Sequence, residues 1–277
     1  MWGTFGSVEV ALRALQAQAQ TGHLPQPSRL TVGELLERWL EATAPDLKPS
    51  TLARYRQLAT HYLAPTLGPL RLQKVRPVHV VQAIAVWRRQ GSPGTVNAAF
   101  RALHRALAVA VRWGLLAANP CDRVATPRPQ YRQPPVWAVE AARAFLAASV
   151  GDRWHPLWAF LLGTGCRLGE ALGLTWDEVD LEPGTATIVR SLVWVGGTYH
   201  VQDPKTKASR RTLTLPPSVV EALSRWKARQ DQERLQAGPA WKDERGAVFT
   251  TSTGSPPSVT NLRRSFRRGC RQAGVPP

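Results

Sequence analysis

Two segments of the chain bring together residue types that could grip a phosphate. The first is Leu162-Gly163-Thr164-Gly165-Cys166-Arg167-Leu168-Gly169-Glu170-Ala171-Leu172, and the second is Pro204-Lys205-Thr206-Lys207-Ala208-Ser209-Arg210-Arg211. An arginine set just inside a helix after Gly-Thr-Gly offers a planar fork of N–H donors, which suits phosphate oxygens. A lysine at the tip of a β-hairpin can reach the same phosphate from the other side and deliver a proton. Other chemistries fail on spacing. A dinucleotide loop needs glycine where Leu168 stands, and no Gly-Lys-Ser/Thr follows for a nucleotide P-loop. The chain has no Gly-x-Ser-x-Gly elbow and no His-Glu-x-x-His pair. His23, His61, His79, His104, His155 and His200 lack metal-ligand spacing, so neither a metal nor another cofactor is expected.

The composition points to the partner. In 277 residues, 36 Lys and Arg stand against 19 Asp and Glu, a formal charge of +17. Such an excess raises both on-rate and affinity for a polyanion with a phosphate backbone, a ribosome-associated or merely basic protein being the alternative. Cys121, Cys166 and Cys270 stand alone, which excludes a disulfide framework or zinc ribbon and fits a reducing cytosol. No apolar run approaches a membrane span, and a cytoplasmic protein is expected.

The elements that must position these groups are mainly helical. Val8 to Gln20 predicts a helix ended by Gly22, within an N-terminal segment 1–27. Residues 28–121 predict four helices with short connections. Thr31 and Glu34 form a capping box for the first, which carries Leu35, Leu36, Trp39 and Leu40. Pro49 opens the second, with Leu52, Tyr55, Leu58, Tyr62 and Leu63 at helical spacing. Pro77 opens the third, and Ser92-Pro93 opens a fourth that Gly114 stops. Residues 122–135 are proline-rich and basic, as a stiff interdomain linker would be.

In residues 136–277, helices are expected at 138–149, 155–163 and from Arg167, then a small three-stranded antiparallel sheet. Its strands are read as Thr185 to Val195, a Gly196-Gly197 turn, Thr198 to Val201, and Arg211 to Leu215. Helices from Ser218 to about Gln236 and over 258–273 follow. Two helix faces are strongly basic: Arg101, Arg105 and Arg112 on the fourth helix, and Arg263, Arg267 and Arg271 on the last, flanked by Arg264 and Arg268. Solvated faces normally mix signs, so both read as phosphate contacts.

With its continuation Leu174-Thr175-Trp176-Asp177-Glu178-Val179-Asp180, the Arg167 segment resembles the first catalytic box of the tyrosine recombinases, the phage integrase family. Pro204 to Arg211 with Leu213, Leu215 and Pro216 resembles that family's hairpin bearing the catalytic lysine. Val248-Phe249-Thr250 and Phe266 to Pro276 resemble the approach to its second box. Leu30 to Cys121 is similar to its helical core-DNA-binding domain of SAM-like fold, and the match runs in one consistent order over about residues 30–277. The resemblance implies a four-helix core-binding domain followed by a catalytic domain. It implies Arg167 on the scissile phosphate, Glu170 supporting it, and Lys205, with Lys207 as alternative, as the general acid. Arg101, Arg105, Arg112, Arg128, Arg132, Arg210, Arg211, Arg263 and Arg267 are the DNA-binding candidates, and other recombinase protomers the partners on DNA.

The family's remaining catalytic groups are not in the sequence. None of the six histidines has arginine three residues on, and the four tyrosines, Tyr55, Tyr62, Tyr131 and Tyr199, all precede Lys205. The resemblance therefore implies a catalytic domain incomplete at its C-terminus, with no nucleophile in this chain. The helix at 8–20 resembles the last helix of an arm-binding domain. Two functions remain open on these grounds: a recombinase fragment, or a non-catalytic DNA-binding protein that occupies core sites or interferes with an intact integrase.

Overall fold

Thr31 and Glu34 open the first helix by satisfying each other's backbone: Glu34 N–H donates to Thr31 Oγ1 (3.2 Å) and Thr31 N–H to Glu34 Oε2 (2.7 Å). The computed structural model describes residues 28–128, 136–202 and 210–277. The expected helix at 8–20, the 129–135 part of the linker, Arg132, Lys205 and Lys207 lie outside the described residues. The chain divides into two compact units, Met1–Arg132 and Gln133–Pro277.

Among the described residues, the first unit is built around four main helices. Helix α1 (Val32–Thr43) buries Val32, Leu35, Leu36 and Trp39 on one side. Helix α2 (Pro49–Leu58) passes through a π-helical turn (Ala59–Leu63) into a last turn (Ala64–Leu67). The cause is Pro65, which lacks the N–H a continuous α-ladder needs and would clash one turn back. The wider turn resets the ladder, and the Tyr62 carbonyl is taken by Trp87 Nε1–H (2.8 Å) and Thr66 Oγ1–H (2.7 Å). Helices α3 (Pro77–Gln90) and α4 (Pro93–Arg112) begin with proline at the first position, as expected. Gly114, at φ +71°, lets the chain leave α4. Trp39, Trp87, Phe100, Leu103 and Leu107 centre the core. Beyond it, Asn97 Nδ2–H donates to the carbonyl of Pro127 (2.6 Å), so the start of the proline-rich stretch packs on this unit.

The second unit begins with α5 (Val139–Ala148), α6 (His155–Thr164) and the short α7 (Leu168–Gly173). The strands are β1 (Val179–Asp180), β2 (Thr185–Ile188), β3 (Ser191–Val195), β4 (Thr198–Gln202) and β5 (Arg211–Thr214). A three-stranded antiparallel sheet is present, in the order β1-β2-β5, while β3 and β4 form a separate hairpin. The single strand expected over Thr185 to Val195 therefore breaks after Ile188. Arg190 turns aside to pair with Glu178 (2.7 Å), and the backbone at Arg190-Ser191 crosses Gly173 so closely that an added Cβ would lie 3.1 Å from the Arg190 oxygen. That packing against α7, rather than strand propensity, decides the sheet change. Helix α8 (Pro217–Ala237) packs on α6, and α9 (Val259–Ala273) packs on α5. Gly269 of α9 faces Phe145, where a Cβ would come within 2.8 Å of the ring.

Candidate active site

Gly165 sets the geometry of the site. At φ +65° it ends α6 in the left-handed region, which a side chain would strain, and so turns the chain into α7. Cys166 buries itself and Arg167 becomes the residue capping α7. The Glu170 carboxylate, one turn on, is 9% exposed and gathers three donors. Arg167 N–H (3.1 Å) and Arg211 Nη2–H (2.8 Å) reach Oε2, while Arg167 Nη1–H (2.9 Å) reaches Oε1. Burial alone would raise the Glu170 pKa, but the bonds from Arg211 and Arg167 override it and hold the carboxyl at about 2. The same bond raises the Arg211 pKa. Glu170 is thus ionised throughout the physiological range, and it holds both the backbone N–H and one guanidinium nitrogen of Arg167, whose side chain is 80% exposed. The result is a guanidinium exposed to solvent and held through its own Nη1.

Close backbone approach fixes the elements that carry this group, and polar contacts tie down the rest of the unit. Gly169 allows β3 to approach α7, with an added Cβ only 2.6 Å from Ser191 Oγ. Arg211 is placed by the register of β5, where it faces Ile188 of β2. On the far side, buried Gln230 accepts from Trp176 Nε1–H (2.6 Å) and donates to the carbonyls of Ala247 (3.1 Å) and Val248 (3.2 Å) and to Thr250 Oγ1 (2.7 Å). Arg153 makes a two-pronged pair with Glu233 (2.6 and 2.7 Å) and reaches the Thr250 carbonyl (3.1 Å). Asp152 accepts from Ser265 Oγ–H (2.6 Å) and Arg268 Nη2–H (2.5 Å), which fastens the turn before α6 to α9. Among the described residues, no group of three His, Cys, Asp or Glu is arranged to hold a metal ion, and no helix is long and apolar enough to cross a membrane.

The residues singled out in the sequence fall into three groups. Arg167, Glu170 and Arg211 come together, with Arg211, a DNA-contact candidate from the sequence, half-buried and bonded through Nη2 to Glu170. Lys205 and Lys207 fall in the interval between β4 and β5, outside the described residues, and Arg210 is exposed just before β5. Arg101, Arg105 and Arg112 are exposed on α4, Arg128 is exposed beyond it, and Arg263 and Arg267 are exposed on α9. Of the flanking residues, Arg268 is engaged with Asp152. Sequence reading missed Asp152, Arg153 and Gln230. Each has a partner at least 54 residues away, and none carries a local signature.

Comparison with known proteins gives a consistent result. The phage integrase N-terminal SAM-like domain matches residues 31–87, and the phage integrase family matches residues 144–276. Over 267 residues the chain is 29% identical to a tyrosine recombinase XerC-like protein of Caldanaerobacter subterraneus, covering 89% of this chain and 68% of that one. It is 31% identical to an integrase of Streptomyces ambofaciens over 256 residues, covering 89% and 64%. The chain thus spans about two thirds of the length of these relatives. Among solved structures, the Tn1549 transposon integrase in complex with transposon right end DNA superposes with a TM-score of 0.75 at 21% identity, over 88% of this chain and 78% of that one. A lambda integrase tetramer bound to a Holliday junction gives 0.66 at 15%, over 96% and 76%. At such identity these likenesses establish the fold.

Proposed function

The chain belongs to the phage integrase family of tyrosine recombinases, and on that premise we propose that it binds double-stranded DNA in the cytoplasm as the phosphate-gripping part of a site-specific recombinase. The observation that carries this reading is the exposed Arg167 guanidinium, held through Nη1 by a Glu170 carboxylate that Arg211 shares. A planar fork fixed in this way meets the oxygens of a scissile phosphate and gains strength as charge builds on them. Glu170 is a positioning residue, and Arg211 braces it from β5. Lys205, with Lys207 as alternative, protonates the leaving 5′ oxygen. Arg101, Arg105, Arg112, Arg128, Arg132, Arg210, Arg263 and Arg267 neutralise backbone charge.

In the family reaction a tyrosine oxygen attacks phosphorus, the bond to the 5′ oxygen breaks, and a 3′-phosphotyrosine forms. Reversal on a new 5′ end rejoins the strand, so no ATP and no metal enter. Residues 1–277 contain no His-x-x-Arg and no tyrosine after Tyr199, whose phenol is bonded to the Pro257 carbonyl. The polypeptide 1–277 therefore grips the phosphate without attacking it, and other recombinase protomers are its partners on DNA. A second reading is a protein that occupies core sites or interferes with an intact integrase without itself cutting DNA. The two differ at Arg167 and Lys205: the second predicts unchanged DNA affinity when both become alanine. A nicked suicide duplex incubated with the 1–277 polypeptide tests the first. Salt-sensitive, non-covalent binding supports it, and a covalent protein–DNA species refutes it.

A further inference from the structure

The three arginines of α4 are not equivalent. At about 100° per residue, Arg101, Arg105 and Arg112 lie within roughly 40° of one another, a single file along the helix. Ala108 continues the file and is half-buried. Only the middle member is held. Arg105 Nη1–H donates to the Tyr55 phenol oxygen (2.7 Å), and its guanidinium carbon sits 5.8 Å from the Tyr55 ring centre. Tyr55, on α2, packs its ring against Trp39 at 5.0 Å between centres, and Trp39 is fully buried. A continuous line of contacts thus runs from the core to the Arg105 guanidinium. Among the described residues, Arg101 and Arg112 show no such hold.

The two kinds of DNA contact need different arginines. A backbone phosphate can be met by a mobile side chain, because the attraction is largely Coulombic and tolerant of angle. A guanine edge requires two N–H groups aimed together at O6 and N7, so a fork fixed before binding loses less freedom in making the pair. Resting on the DNA-binding reading of this chain, we infer that Arg105 is the base-reading residue of α4, specific for guanine, with Tyr55 as its positioning residue and Arg101 and Arg112 as backbone contacts. The Tyr55 bond occupies one donor of Nη1 and leaves the other donors of the fork for the base.

Selection of bound sequences from a pool of random-sequence duplexes, with the unaltered chain and three variants, tests this. The unaltered chain is expected to enrich a motif with a preferred guanine. In Arg105→Ala that preference falls roughly tenfold or more at one position while the rest of the motif persists. Tyr55→Phe keeps the ring on Trp39 and loses only the phenol, so the same guanine preference weakens while the melting temperature holds. Arg101→Ala lowers affinity for all sequences alike and reduces the slope of log K against log salt by about one. The inference is overturned if Arg105→Ala weakens all sequences equally, as Arg101→Ala does, or if Tyr55→Phe leaves the guanine preference intact. If the unaltered chain enriches no duplex and binds none, the DNA-binding reading itself fails, an outcome distinct from a motif that ignores Arg105.

Discussion

Replacing Glu170 with glutamine removes one charge from a position where two arginines converge, and the consequence for stability can be worked from the structure. The carboxyl is 9% exposed, and its pKa is lowered from an ordinary 4.5 to about 2 by the Arg211 and Arg167 bonds acting against burial. A group whose folded-state pKa is depressed stabilises the fold fully above its unfolded pKa and loses that contribution as pH falls through the folded value. A shift of this size, at about 1.4 kcal/mol per unit, corresponds to an upper figure of about 3 kcal/mol at pH 7. It falls to about 1 kcal/mol at pH 3 and nearly vanishes at pH 2. Glutamine mimics the neutral carboxyl, so Glu170→Gln is expected to cost about 2–3 kcal/mol at pH 7 and far less at pH 3. Urea unfolding followed by tryptophan fluorescence measures it, since seven of the eleven tryptophans lie in the second unit. A loss that is the same at pH 7 and pH 3, or one under about 0.5 kcal/mol at pH 7, would refute the reasoning.

Three other outcomes follow from particular contacts. Gln230→Leu strands the Trp176 indole N–H, the Ala247 carbonyl and the Thr250 hydroxyl, while the Val248 carbonyl keeps its bond from Trp226, and thermal unfolding should show a loss of about 2–4 kcal/mol. Gly165→Ala meets no neighbour within 4 Å, so its cost is backbone strain alone, about 1–2 kcal/mol by the same assay. The Cys121 thiol is pushed up to about 12 by burial, with help from Asp122. Alkylation at pH 8 should therefore proceed only as fast as the chain opens, while urea-unfolded protein reacts at once.

Local chemistry made much of the architecture legible. The Thr31–Glu34 box, the prolines opening α2, α3 and α4, the Gly196-Gly197 turn and Gly274 after α9 each mark an element end through a rule confined to a few residues. Contacts formed at a distance were not legible in the same way. The 185–195 run alternates like one strand and divides because Arg190 finds Glu178 and because glycines of α7 admit the backbone there. The π turn in α2 follows from Pro65, yet its position depends on Trp87 capturing the Tyr62 carbonyl. Arg167 and Glu170 were readable as an i, i+3 pair, whereas Arg211 joins them from 41 residues away through the register of β5. Its place beside Arg210 in a basic run carries no sign of that pairing, which the sheet creates.

On the proposed reading, Arg167 is the phosphate-gripping cation of an integrase-family chain that binds DNA. The most direct test is fluorescence anisotropy of a labelled duplex, titrated with the 1–277 polypeptide and with Arg167→Ala across a salt series. The account predicts that log K falls linearly with log salt, and that the variant's slope is shallower by about one. Binding that ignores salt, or an Arg167→Ala slope and affinity identical to those of the unaltered chain, would contradict it.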